Sequence, residues 1–163
     1  MHLLSVDQWI NVIYQSIGAG VIGPAFAMLF AVPARFLALI AAVSALTRGI
    51  RAFLVLSGME IIIATFIACA ICSLIFIYFG PLLRVPRPVF TVPCIISMIP
   101  GLDAYNSLLA LIHIIESTNS ELLNNNIAIL FRSGMKALGI VFAIAVGLAV
   151  PPLFFYKYRH TKL

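Results

Sequence analysis

The sequence predicts an all-α fold, a polytopic membrane helix bundle of about five transmembrane helices with one helix broken near Pro100-Gly101. Three observations carry that expectation. Of 163 residues, 63% are apolar and only 9% carry charge, with a mean hydropathy of +1.16. A soluble chain runs near 25% charged, and one this short has too little interior to hide so much apolar side chain, so the excess must meet the lipid bilayer. The apolar residues come in continuous runs about as long as a bilayer crossing instead of alternating, which favours helices over a β-barrel. The ten basic residues are scattered singly or in twos between those runs, so the net charge of +5 marks topology and not a nucleic-acid surface.

A single membrane domain, 1–163, is expected, with spans at 8–31, 34–57, 60–79, 89–115 and 127–156. The first contains Gly18, Gly20, Gly23 and Pro24, and Ala19 and Gly23 stand four apart, a spacing that lets a neighbouring helix come close. Ala25-Phe26-Ala27 mimics a signal cleavage site, but Asp7 and no Lys or Arg precedes it, so the segment is expected to remain as a span. Val32-Pro33-Ala34-Arg35 forms a short joint.

The second span depends on where Arg48 and Arg51 are placed. In water they leave an apolar remainder too short to cross, and the protein has four spans. Inside the membrane protein they complete one helix over 34–57, closed by a Ser57-Gly58 turn. Five spans gather Arg35, then Arg84 and Arg87, then Lys157, Arg159 and Lys162 on one side, and Asp7, Glu60, Glu116 and Glu121 on the other. The positive-inside rule then puts the N-terminus outside and the C-terminus in the cytoplasm. The joins are a basic, proline-stiffened loop from Gly80 to Pro88 and a polar loop from Glu116 to Asn126. Trp9, Tyr14, Tyr78, Tyr156 and Tyr158 mostly fall at span ends, as interfacial aromatics do.

Little of the usual chemistry is present. Cys69-x-x-Cys72 has a redox or zinc spacing, but no second pair, His or acid completes a site, so Cys69, Cys72 and Cys94 are expected to be small apolar residues and no metal is implied. No triad spacing and no phosphate loop appears, so neither an enzyme nor a cofactor is expected.

Five spans put Arg48 and Arg51 near the middle of the second helix, three residues apart on one face. Each guanidinium costs at least about 2.5 kcal/mol at a helix centre and needs an acid, carbonyls, water or an anionic ligand. Its fork of donors suits a carboxylate. The fourth span carries Pro93, Pro100 and Gly101, and Pro100 removes a backbone donor, so this helix is expected to break in mid-membrane beside a cavity. The half-helix that restarts near Asp103 turns its positive end to the gap, with Tyr105, Asn106 and Ser107 as further polar groups. Asp103 is expected as its N-cap. Arg132 and Lys136, four apart near the outer end of the last span, are either an interfacial pair or an anion path. Glu60, His113 and Glu116 are candidate proton carriers close to helix ends, where hydration explains them equally well.

The stretch Phe26-Ala27-Met28-Leu29-Phe30-Ala31-Val32-Pro33-Ala34-Arg35, with Val89-Phe90-Thr91-Val92-Pro93, Met98-Ile99-Pro100-Gly101 and Tyr105, resembles the threonine/serine exporter family over nearly the whole chain. The length is similar to the short, split type that looks like the C-terminal membrane half, as in the small subunit of two-subunit bacterial succinate exporters. The resemblance implies a secondary carrier of the bacterial inner membrane. It would export small carboxylated metabolites, a dicarboxylate such as succinate or threonine and serine, with a larger partner subunit resembling the family's N-terminal half. In the family a small neutral residue is usual where Asp103 stands, so either the carboxylate site is displaced or Asp103 takes part in proton coupling. An odd span count lets a partner half insert upside down as an inverted repeat, and a higher oligomer is compatible with this. The alternative is a non-transporting assembly or scaffold subunit whose arginines dock a partner helix.

Overall fold

The computed structural model describes residues 5–83, 88–116 and 120–159. Arg84, Arg87 and Lys162, on which the orientation rests, lie outside the described residues. The elements are α1 (Val6–Leu29), a 3-10 turn (Ala34–Phe36), α2 (Leu37–Leu56), α3 (Ile61–Leu83), α4 (Pro88–Ile95) with a 3-10 turn (Ile96–Met98), α5 (Gly101–Glu116) and α6 (Ser120–Arg159). Val6–Leu29, Ala34–Leu56, Ile61–Phe79 and Glu121–Phe154 are each long and apolar enough to cross a membrane, and Pro88–Met98 with Gly101–Glu116 makes a fifth if the broken pair is one span. Residues 34–56 therefore have the length that the five-span expectation requires.

Two local differences from the sequence expectation have physical causes. Most of the expected Glu116–Asn126 loop is helical, because α6 starts at Ser120 with Glu121 in its first turn, where an acid opposes the positive end of the helix dipole. Asp103 is not an N-cap: α5 starts at Gly101, leaving Asp103 within the first turn. Arg48 stands close to the midpoint of α2, as expected, and Arg51 about one turn nearer its C-terminal end.

The chain divides into two compact units, one of Met1–Met98 with Ala143–Leu163 and one of Ile99–Phe142. In the first unit α1 and α2 are joined by small residues. A Cβ at Gly20 would rest 3.4 Å from Ala45 Cβ, one at Gly49 would lie 2.6 Å from Ser16 Oγ, and one at Gly23 would collide with Ser44. Such contacts bring backbones together where lipid supplies no hydrophobic drive. Both helices end in the same backbone motif. Val32 N–H returns to the Ala27 carbonyl with Ala31 at φ 54°, and Met59 N–H returns to the Leu54 carbonyl with Gly58 at φ +94°. The expected Ser57-Gly58 turn is thus present, while the first end places an alanine where glycine is cheapest.

The inward face of α3 repeats Thr65, Ala68, Cys69, Cys72, Ser73 and Phe76 at helical spacing, all buried. Against it lies the Gly147 turn of α6, where a Cβ would lie 2.8 Å from the Phe66 carbonyl oxygen, and Ser73 Oγ donates to the Leu148 carbonyl at 3.1 Å. The three cysteines are free and buried, as small apolar residues should be. Phe90 of α4 stacks on Phe76 at 5.7 Å and meets the edge of Phe36 at 5.2 Å, which seats the half-helix on α3 and on the entry to α2. In the second unit α5 and α6 meet at Ser107, whose hydroxyl donates to the Leu130 carbonyl at 3.4 Å beside Gly134.

Candidate functional site

The site is built on the inward stripe of α2. Ile40, Val43, Ser44, Thr47 and Arg51 recur every three or four residues and are buried, so one face of the helix carries an apolar-to-polar gradient ending in a guanidinium. Thr47 Oγ1 satisfies itself on the Val43 carbonyl at 2.6 Å. Arg51 is only 6% exposed, so its charge cannot be left to water.

Both arginines find backbone partners at the broken end of the next half-helix. Arg48 Nη1 donates to the Ser97 carbonyl and Arg51 Nη1 to the Met98 carbonyl, each at 3.0 Å. The cause is local. A helix leaves its last carbonyls without intrahelical donors, and Pro100 has no N–H to supply one. Those carbonyls also carry the negative end of the helix dipole, about half an elementary charge, so two cations are the fitting cap. Of the partners that the sequence allowed, the structure shows carbonyls. Met98, 1% exposed, anchors the same turn in the core, and Cys94 Sγ contacts the Ile40 carbonyl at 3.7 Å.

Beside this cap lies a cavity of about 200 Å³ lined by Gln15, Arg48, Arg51, Ala52, Val55, Leu56 and Ile61. That volume is below the roughly 300–1,000 Å³ of pockets for drug-sized ligands and suits a small metabolite. Two cations and an amide stand on its wall, with no carboxylate among the lining residues. Gln15 was missed by sequence reasoning. Its signal was available, since it is an amide more than two turns inside the first span, where its Nε2 donates to Asn11 Oδ1 at 3.0 Å.

The remaining expected site residues are not among those that line this cavity. Pro100 is buried and Gly101 exposed at the break itself. Tyr105 and Asn106 are exposed on α5, and Arg132 is exposed on α6. Asp103 and Lys136 form an ion pair, Nζ to Oδ1 at 3.0 Å. Lys136 thus has a carboxylate partner in the same unit and lies within Glu121–Phe154.

A family model described as "Threonine/Serine exporter, ThrE" matches residues 15–154. No solved structure matches the chain.

Proposed function

The chain belongs to the threonine/serine exporter family, and on that premise we propose that it is a transport subunit that moves small carboxylated metabolites through the Gln15–Arg48–Arg51 cavity. One observation carries the proposal: two guanidinium groups and an amide surround a metabolite-sized space where a helix is interrupted. A guanidinium has five N–H donors in a fork that fits a carboxylate, so the single bond from Arg48 to Ser97 leaves that side chain able to hold an anion as well. A net anion such as succinate fits the lining better than zwitterionic threonine or serine, whose ammonium would face two cations.

The subunit works with a larger partner resembling the family's N-terminal half, in a bacterial inner membrane with its N-terminus outside. Many of its helix faces are apolar and uncovered within the chain: Ile10, Ile13, Ile17 and Val21 of α1 are all more than half exposed. They need lipid or protein against them.

The test is Arg48→Gln and Arg51→Gln, made separately, with succinate and threonine efflux measured per assembled complex. Loss of a charge-assisted bond is worth about 1.5–3 kcal/mol, or roughly 10- to 150-fold in apparent affinity. Succinate efflux should fall by that factor and threonine efflux by less. Equal loss of both, or of neither, refutes the anion site. The carbonyl bonds themselves favour a second reading, an assembly subunit in which the arginines only hold α4, and there both variants lower recovery of the complex while flux per complex stays unchanged. Orientation is tested by Met59→Cys, which should react with an impermeant maleimide from outside intact cells.

A further inference from the structure

The Asp103–Lys136 pair belongs to the second unit and has no part in the arginine cavity. Asp103 lies near the middle of the broken pair 88–116, and Lys136 near the middle of the 121–154 span. Both charges therefore stand within segments otherwise apolar enough to cross a membrane, where an ionisable residue most often has a functional reason. The helices around the pair present apolar outer faces, with Leu102, Leu108, Met135 and Leu138 62–79% exposed, while Asn106 and Ser107 on α5 and Arg132 and Ser133 on α6 stand one turn from the charges. Ser107, one turn on, gives its hydroxyl to the Leu130 carbonyl. From α6 the carboxyl faces Lys136, with Arg132 one turn earlier, while His113 and Glu116 lie at the far end of α5.

An asparagine–glutamine contact would join these two helices at a smaller desolvation cost than an ion pair. What a carboxylate adds is the ability to take up a proton. We infer that Asp103 is the proton-binding group of the carrier, an inference that rests on the transport reading above. Protonation forms one O–H bond on the carboxyl, removes its charge, breaks the ion pair and leaves the Lys136 ammonium without its counter-ion. Release of the proton restores the pair. Two helices joined in one protonation state and parted in the other give proton movement a mechanical consequence.

The experiment uses membrane vesicles carrying the assembled exporter. Succinate flux is measured under an imposed pH gradient, and exchange of labelled for unlabelled succinate is measured at equal pH. Asp103→Asn should keep the exchange but reduce gradient-driven flux to the level seen without a gradient. Asp103→Asn together with Lys136→Gln removes both charges, so neither is left without a partner, and this double variant should likewise keep the exchange and lose the response to the gradient. Gradient-driven flux that survives Asp103→Asn overturns the inference, as does wild-type flux that ignores the gradient. In both cases the transport reading stands. Arg48→Gln, by contrast, should lose exchange itself, and its failure to do so counts against the cavity and not against Asp103. If Asp103→Asn alone yields no assembled complex, the double variant Asp103→Asn with Lys136→Gln decides: exchange without a response to the gradient supports the proton site, and a surviving response refutes it.

Discussion

Gly23→Ala is expected to loosen the α1–α2 pair that holds the arginines in place. The added Cβ would collide with Ser44 Oγ and lie 2.8 Å from Ser44 Cβ. The hydroxyl can rotate away, but the Cβ is fixed to the α2 backbone, so the two helices must part. Overpacking of this kind costs about 1–3 kcal/mol, while alanine in place of glycine within a helix returns about 1 kcal/mol. Gly18→Ala supplies the control, because nothing lies within 4 Å of the new methyl and only the gain remains. The two variants should therefore differ by about 1–3 kcal/mol, or roughly 2–12 °C in Tm for a chain of this size. The buried thiols Cys69, Cys72 and Cys94 provide the readout, since a fluorogenic maleimide reaches them only on unfolding. Ser44→Gly in the Gly23→Ala background should recover most of the loss, giving a coupling energy of about 1 kcal/mol or more. If Gly23→Ala melts with Gly18→Ala, or Ser44→Gly gives no rescue, the close approach of α1 and α2 is wrong.

Other substitutions test other joints with the same melting assay. Gly58→Ala should cost about 1–2 kcal/mol from backbone conformation alone, because Gly58 has φ +94° and no atom within 4 Å of a Cβ. Gly147→Ala should destabilise by about 1–2 kcal/mol after its helix-propensity gain, since the Cβ meets the Phe66 carbonyl at 2.8 Å and Cys69 Cβ at 2.9 Å, neither a flexible side-chain end. Arg51→Gln should lower stability more than Arg48→Gln. Arg51 is buried and its loss leaves the Met98 carbonyl without that donor, about 1–3 kcal/mol, whereas water can replace the half-buried Arg48.

What was legible in the sequence follows from the range of the interactions concerned. Helix existence is written in apolar runs, and turns in local residues, so 34–57 with its Ser57-Gly58 stop and the break at Pro100-Gly101 could be placed closely. The Ala19–Gly23 approach was visible as a spacing, although its partner Ser44 was not. The need of Arg48 and Arg51 for a partner was derivable from charge alone. The identity of that partner was not, because it is a pair of main-chain carbonyls, which have no signature in residue type. Asp103 and Lys136 were each singled out, but nothing local joins positions 33 apart. The expected start of α6 is too late because Asn124, Asn125 and Asn126 have loop character, which the continuing helix overrides.

The cap on α4 also has a consequence for biosynthesis. Arg48 and Arg51 are made 49 and 47 residues before the carbonyls that receive them. A ribosome feeding this chain to the translocon therefore delivers two cations whose eventual acceptors do not yet exist. Each guanidinium opposes partition by up to about 2.5–3.5 kcal/mol, less when off-centre. Residues 37–56 should thus linger at the insertion channel until residues 97 and 98 emerge, so in nascent chains truncated before that point this segment should still cross-link to the channel after Val6–Leu29 has left it, while in longer chains it should not.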